Sequence, residues 1–209
     1  MSAVSTNPAD LAEPRATRTA LTPDVVLDAA LTLFAQRGYH GTALSQIAEV
    51  LRVRTPSLYN HMGSKHDLLL TIVDRATAGV LADFHRVVDP ADPPVEQLRK
   101  ATHVYVHRHV THRREALVVN RDTGSLAEPA VGEMQARRRE HEHALRAVIA
   151  AGVAAGELRV ESPALASFAI REMCVSVARW FSPHGALTAE QVADQYVEFA
   201  LRVAGHLER

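Results

Sequence analysis

The sequence predicts an all-α protein of about nine helices, and three features of its 209 residues support this fold class. Aromatic residues make up only 5% of the chain, whereas Ala, Leu, Val, Arg and Glu are plentiful. Apolar residues recur at spacings of three and four, the period of a buried helical face. Thr or Ser followed by Pro, a helix N-terminal signature, occurs at Thr22-Pro23, Thr55-Pro56 and Ser162-Pro163.

The chain divides into three parts on its sequence pattern. Residues 1–20 lack periodicity and contain two prolines, so we expect a disordered arm. Arg15 and Arg18 of this arm could reach a minor groove or phosphates, or could simply belong to an unstructured tail. Residues 21–66 are expected to form a three-helix domain, and residues 67–209 a larger helical domain.

A supporting helix is expected first, from the Thr22-Pro23 start to Gly38, which is placed to end it. The segment from Thr42 to Lys65 then predicts two short helices joined by a tight turn, a helix-turn-helix. Thr42 is the expected N-cap of the first short helix, and Thr55 that of the second. The second helix would enter the DNA major groove.

Side chains around this turn have the chemistry to bind DNA. Leu58 and Met62 are four residues apart and should face inward, which leaves the polar residues between them on the solvent side. Hydroxyl, imidazole and ammonium groups can bond phosphate oxygens, and the helix that starts after Ser64 offers free amides beside Lys65. The candidate DNA-binding residues are Thr42, Ser45, Arg54, Thr55, Ser57, Tyr59, Asn60, His61 and Lys65.

Charge alone is a weak guide to a nucleic-acid partner here. The net charge is −1, but six basic and three acidic residues lie between Pro14 and Lys65. A modestly basic N-terminal quarter on a mildly acidic body suits a protein that presents one end to phosphates.

The span from about Thr22 to Leu70 resembles the DNA-binding domain of the TetR family of bacterial repressors. The motif TPSLYNHMGSKHDLL, behind an LF-x-x-x-G-Y-x-G-T entry, carries the resemblance. It differs in two places, since the family usually has Gly where Arg52 stands and often a basic residue where Ser45 stands. A positive φ at Arg52 would cost about 1 kcal/mol.

The resemblance implies a repressor that binds double-stranded DNA as a homodimer and is released by a small molecule. Ser57, Tyr59, His61 and Lys65 would hold phosphates, and Arg54, Thr55 and Asn60 would lie nearest base edges. The last two helices are apolar on more than one side, which predicts a four-helix dimer interface. The resemblance implies the same interface.

The segment ARWFSPHGALTAEQVADQYVEFAL is similar to TetR-type repressors of fatty-acid and sterol breakdown, which respond to acyl-CoA thioesters. A hydrophobic drug-like effector is the competing expectation. Basic residues suited to a pocket mouth are Arg113, Arg114, Arg121 and Arg137. The candidate ligand-binding residues are Tyr105, His109, Met134, Arg138, Met173 and Trp180.

Other patterns leave alternatives. His103 and His107 are spaced to share a metal, so a metal-responsive regulator or a metal-binding or enzymatic protein remains an alternative. No ligand pattern completes a zinc site, and we expect no bound metal or cofactor. The run Arg137-Arg138-Arg139 could bind an anion or form a solvated, ion-paired face. Cys174 lies in an apolar helix, where packing is expected before nucleophilic or redox chemistry.

The sequence contains no catalytic motif such as GxSxG, a P-loop or HExxH, so we expect no enzyme. It has no apolar run long enough for a transmembrane helix and no N-terminal signal pattern, and Cys174 is its single cysteine. We therefore expect a cytoplasmic protein with no membrane partner.

Overall fold

The computed structural model describes residues 20–206, and these residues form nine α-helices and no strand. The all-α prediction is therefore confirmed. The helices are α1 (Pro23–Arg37), α2 (Leu44–Val50), α3 (Thr55–Leu58), α4 (Lys65–Val87), α5 (Pro94–Thr111), α6 (Arg113–Asp122), α7 (Ala130–Ala154), α8 (Pro163–Trp180) and α9 (Ala189–Val203). The expectations for most of the N-terminal arm, including Arg15 and Arg18, lie outside the described residues. No helix within residues 20–206 is long and apolar enough to cross a membrane.

Local capping chemistry explains several helix starts. The Thr22 side chain accepts from the Val25 amide at 3.3 Å, and Ser162 accepts from the Leu165 amide at the same distance. Thr188 and the third residue of α9, Gln191, bond each other's backbone amides at 3.2 and 2.9 Å. The caps of α1 and α8 were predicted from sequence, and both helices begin where expected.

Two caps and one helix differ from the predictions. The N-cap of α2 is Ala43, whose amide donates to Gln46 Oε1 at 2.9 Å, and the predicted cap Thr42 is turned inward. The N-cap of α3 is Arg54, so Thr55 is the first helical residue. α6 spans ten residues in a segment for which no helix of that length was predicted.

Two apolar clusters organise the core. The first gathers α1 to α4 around Phe34, Ile47 and Leu58, and it also includes Val118 of α6 and Met134 of α7. The second joins the distal part of α4 to α5, α7, α8 and α9. Because α4 contributes to both clusters and α6 packs against the N-terminal helices, the two parts share their packing. The boundary between residues 66 and 67 stays a prediction.

Polar contacts add a second connection between α6 and α1. Arg114 of α6 bonds Asp28 at 2.8 Å and the Thr32 hydroxyl at 2.6 Å. Arg121 donates to the backbone carbonyl of Phe34 near the C-terminus of α1, and this carbonyl also accepts from the Gly38 amide at 2.9 Å. The body of the protein therefore holds the N-terminal helices through side chains as well as through α4.

Candidate functional sites

The helix-turn-helix places residues 55–62, called here the recognition segment, on the outside of the first apolar cluster. Leu58 is fully buried and Met62 packs against the same cluster, which holds this segment to the domain. α3 proper ends at Leu58, and the chain continues in tight turns, with the His61 amide donating to Leu58 O at 2.8 Å. The recognition helix is thus shorter than the sequence indicated.

Most of the predicted DNA-binding side chains reach the surface of this segment. Tyr59 is 55% exposed, and Ser45, Arg54 and Asn60 are also exposed. Thr55, Ser57, His61 and Lys65 are half-buried. A tyrosine left this exposed on a one-turn helix makes no contribution to the core, so it is available to a partner.

Thr42 is not available to DNA, and its assignment to that site is wrong. Its side chain is 1% exposed, and its hydroxyl donates to the carbonyls of Leu33 at 3.3 Å and Gly38 at 2.8 Å. The hydroxyl closes the α1–α2 turn instead of facing solvent.

The ammonium group of Lys65 is not free in solvent, since it lies 4.2 Å from the centre of the Tyr39 ring. Partial burial lowers the pKa of Lys65, and the negative charge of Asp122 offsets only part of this lowering.

The turn of the motif carries the backbone conformation that its sequence implied. Arg52 has φ +55°, and it is the one non-glycine residue with positive φ among residues 20–206. Within residues 20–206, neither Arg52 nor Arg54 forms an ion pair. By contrast, Arg75 of α4 pairs with Asp24 of α1. The exposed turn therefore presents two uncompensated guanidinium groups beside Tyr59.

A cavity that is partly open to solvent lies in the body of the protein. Side chains from α4, α5, α6, α7 and α8 line it, including Val80, Ala116, Val119 and Val175 on its apolar surface. Its polar lining is dominated by four arginines, against one carboxylate, Glu115. The arginines are Arg108, Arg137, Arg138 and Arg171. An apolar cavity with several convergent cations suits an amphipathic anion.

Three rings form the buried wall of this cavity. The Tyr105 ring centre lies 4.5 Å from that of His109 and 4.6 Å from that of His141. His109 Nδ1 is 2.8 Å from Tyr105 O, which fits a neutral imidazole donating to that carbonyl. Burial lowers the pKa of both imidazoles to about 4. Burial also raises the pKa of the Tyr105 phenol and lowers that of the Arg138 guanidinium.

The predicted ligand-binding residues separate into two groups. Tyr105, His109 and Arg138 line the cavity. Met134 is buried in the first apolar cluster and Met173 packs against the second, and neither belongs to the cavity lining. The prediction that Trp180 faces inward is wrong, since its side chain is 51% exposed.

Sequence reasoning missed several cavity residues, among them two arginines, and misplaced three cations. It did not single out Arg108 or Arg171 for the cavity, although Arg171 is a basic residue within the otherwise apolar first half of α8. Arg137, expected at the mouth, does line the cavity, whereas Arg113, Arg114 and Arg121 do not. Arg114 and Arg121 bind α1 instead.

The faces of α8 and α9 leave a set of large apolar side chains exposed. Trp180 stacks on Tyr196 with ring centres 6.3 Å apart, and Tyr196 contacts Phe199 at 5.7 Å. The exposed members on these two helices are Leu165, Phe168, Trp180, Phe199 and Val203. Exposed apolar area of this kind is typical of a protein–protein interface.

The histidine-rich helix α5 distributes its imidazoles over two faces. His109 is buried in the cavity wall, whereas His103 and His107 stack on each other at the surface, with ring centres 6.2 Å apart. His103 Nε2 lies 3.1 Å from Glu190 and 3.7 Å from Asp194 of α9. His103 and His107 thus lie on one face of α5, but the ligand atoms that converge are those of His103, Glu190 and Asp194 and not that of His107.

Cys174 is fully buried in the second apolar cluster, and burial raises the pKa of its thiol. The thiolate needed for a nucleophile is disfavoured there.

An all-helical chain with an N-terminal helix-turn-helix and an apolar cavity behind it defines the class of helix-turn-helix transcriptional regulators. The model for the TetR family of bacterial regulatory proteins matches residues 26–72. The model for the tetracyclin repressor-like C-terminal domain matches residues 91–204, more than half of the chain. The chain therefore belongs to the TetR family and is a DNA-binding transcriptional regulator.

Three relatives illustrate this membership. The helix-turn-helix transcriptional repressor KstR2 of Mycolicibacterium smegmatis is 27% identical over 181 residues, covering 85% of this chain and 88% of KstR2. A TetR-family regulatory protein from Rhodococcus RHA1 superposes with a TM-score of 0.83 at 28% identity, covering 91% of this chain and all of that one. AibR, solved with isovaleryl coenzyme A and operator DNA, gives 0.75 at 26% identity over 85% of this chain and 96% of AibR.

Proposed function

We propose that the protein is a transcriptional repressor that binds a palindromic operator as a homodimer and leaves it when a small effector enters the cavity. The observation that carries this proposal is the pairing of two features on one long helix. α4 begins beside the recognition segment and contributes Ala76, Thr77 and Val80 to the cavity wall. An effector in the cavity thus touches the same rigid element that positions the DNA-binding end.

The apolar face of α8 and α9 is the proposed dimer interface. Pairing two copies of this face buries Phe168, Trp180 and Phe199, which are otherwise in water. A two-fold dimer places two recognition segments on successive major grooves, about 34 Å apart. We assign phosphate contacts to Ser57, Tyr59, His61 and Lys65, and base contacts to Arg54, Thr55 and Asn60.

The proposed effector is an acyl-CoA-like molecule. The apolar wall of the cavity suits an acyl chain, and its four arginines suit the negative charges of a coenzyme A group. AibR supports this choice as a relative, since it was solved with an acyl-CoA. A neutral hydrophobic effector would leave these arginines without a partner in the ligand.

The DNA half of the proposal is tested by electrophoretic mobility shift on the DNA upstream of the gene. Tyr59→Ala and Arg54→Ala should each abolish or greatly weaken the shift, because they remove exposed contacts without opening the core. His184→Ala, in the exposed α8–α9 loop, is the matched control and should bind like wild type. Size-exclusion chromatography checks that the variants remain dimers. Full binding by both variants would refute the DNA-binding assignment.

The effector half is tested by thermal shift against a panel of acyl-CoAs and neutral hydrophobic compounds. We expect stabilisation by at least one acyl-CoA and release of the DNA complex at the same concentration. Stabilisation by neutral compounds alone would favour the hydrophobic effector.

A metal-responsive regulator is the second candidate, and one surface cluster favours it. Ligand atoms of His103, Glu190 and Asp194 lie within 4.8 Å of one another across α5 and α9. Metal analysis of the purified protein decides between the candidates, because stoichiometric zinc or nickel that is lost in His103→Ala would support this one.

A further inference from the structure

Two ion pairs fasten α4 to the walls of the cavity. Arg108 of α5 contacts Asp83 of α4 at 2.6 Å, and Arg137 of α7 contacts Asp74 of α4 at 2.5 Å. Both arginines line the cavity, whereas neither aspartate does. Each guanidinium therefore lies between α4 and the space in which an effector would sit.

The backbone of α4 is shaped to receive one of these guanidinium groups. A Cβ atom at Gly79 would overlap the guanidinium of Arg108, so a larger residue there requires that guanidinium to move. Glycine in a helix interior is about 1 kcal/mol less favourable than alanine. The bare backbone at residue 79 shows that the Arg108 contact with α4 is tightly fitted, in addition to its bond with Asp83.

The positive charge of the cavity is compensated by the protein itself. Three of the four lining arginines have carboxylate partners that lie outside the cavity lining: Asp83 for Arg108, Asp74 for Arg137 and Glu172 for Arg171. Arg138, the fourth, makes no ion pair within residues 20–206. An anion in the cavity therefore finds Arg138 without a competing carboxylate, and it competes with the internal carboxylates for the other three arginines.

We propose that the effector is an anion whose charged group replaces Asp74 and Asp83 as the partner of Arg137 and Arg108, and that this exchange detaches α4 from α7 and α5. The inference rests on the proposed function, since it assigns the regulation of the same cavity. Phosphate and carboxylate groups both have the geometry to bind a guanidinium through two oxygens.

The exchange is electrostatically feasible because the released carboxylates can be hydrated. The side chain of Asp74 is 50% exposed and that of Asp83 is 25% exposed, so both reach water once their arginines turn away. Burial pushes the pKa of Asp83 upward, but bonds from Arg108 and Arg86 outweigh it and hold that pKa below its ordinary value. No buried charge is left unpaired on either side of the exchange.

The helix converts this local event into a change at the DNA. α4 has 23 residues, so it is about 34 Å long, and its first residue follows the recognition segment. Asp74 and Asp83 lie in its middle and near its far end. Losing both contacts frees the helix to tilt, which shifts the population of dimers away from the spacing that matches two major grooves.

The experiment compares substitutions on the two sides of each pair. Isothermal titration with isovaleryl coenzyme A and with inorganic pyrophosphate measures probe affinity without DNA. Asp74→Asn and Asp83→Asn should bind at least one probe about fivefold tighter than wild type, because the internal competitor is gone. Arg137→Gln and Arg108→Gln should bind it about tenfold more weakly or worse. A purely structural role for these pairs predicts weaker binding in all four variants.

Operator binding supplies the second measurement and its control. Asp74→Asn and Asp83→Asn should weaken operator binding by about fivefold or more without any effector, because α4 is already detached. Asp24→Asn removes the exposed ion pair between α1 and Arg75 of α4 and is the matched control. In the titration it should leave the affinity for both probes unchanged. Gly79→Ala displaces Arg108 without removing a charge, so it should weaken operator binding as Asp83→Asn does.

The outcomes separate this inference from the proposed function. Failure of wild type to bind operator DNA would refute the proposed function, while the opposite signs of the two probe measurements would still support the exchange. Equal or weaker probe binding by both Asn variants would overturn the exchange even if the repressor binds DNA. Absence of binding of either probe at millimolar concentration, in wild type and in both Asn variants, would also overturn it.

Discussion

Acidification from pH 7 to pH 5 should destabilise the protein through His109 and His141. In the folded chain both imidazoles have a pKa of about 4, against 6.5 for the exposed group. The unfolded chain therefore takes up these protons as the pH falls below 6.5, whereas the folded chain takes them up only near pH 4. Stability is fully present above pH 6.5 and is lost as the pH falls toward 4.

The magnitude follows from those two values. For one imidazole the difference in proton binding between pH 7 and pH 5 is worth about 2 kcal/mol of unfolding free energy. The two rings flank Tyr105, with centre distances of 4.5 and 4.6 Å, so protonating one disfavours protonating the other. Because both imidazoles stay mostly neutral in the folded chain at pH 5, their two contributions add. The loss of unfolding free energy for the pair should reach about 4 kcal/mol, a large share of the stability of a typical domain.

Urea unfolding followed by circular dichroism at pH 5, 6 and 7 measures this loss. His141→Phe keeps the ring contacts with Phe84 and Tyr105 and removes the titrating group, so it should lose about half of the pH dependence. His184→Gln, an exposed residue in the α8–α9 loop, is the control and should behave like wild type. An unchanged pH dependence in His141→Phe would refute the assignment of acid sensitivity to the cavity wall.

Three further predictions concern the turn, the core and the dimer. Arg52→Gly should raise the unfolding free energy by up to about 1 kcal/mol, because glycine accepts the φ of +55°, whereas Arg52→Lys should give no gain. Equal stability of both variants in urea would contradict this. Thr42→Val should cost about 1 to 3 kcal/mol, since the carbonyls of Leu33 and Gly38 lose their hydroxyl donor, and a silent substitution would show that the bonds are not needed. Phe199→Glu should yield a helical monomer by light scattering, and a persistent dimer would place the interface elsewhere.

Sequence reasoning succeeded where the determinants are local. Thr22 and Ser162 cap their helices through bonds to residues three positions away, which any reader of the sequence can anticipate. Arg52 has the positive φ that its place in the turn implied. Thr42 failed the same logic because its hydroxyl donates back to the carbonyls of Gly38 and Leu33 at the end of α1 instead of capping α2.

The candidate sites were harder to anticipate because each depends on which face of a helix is turned inward. Trp180 has the composition of a core residue, and an apolar pattern cannot distinguish an internal face from one that meets a second chain. Arg171 was missed because a charged residue in an apolar helix was not considered as part of a cavity, whereas it lines one. In α5, the helical period shows that His109 lies on a different face from His103 and His107, but it does not show which face is buried. The packing partners of the helix decide that His109 is the buried one.

The most direct measurement of the repressor mechanism is fluorescence anisotropy of labelled upstream DNA titrated with the protein, with and without an acyl-CoA. We expect saturable binding by one dimer per palindromic site, and release of the DNA when the acyl-CoA is added at a concentration that stabilises the protein. DNA binding that persists unchanged in the presence of every stabilising ligand would contradict the proposed coupling between the cavity and the recognition segment.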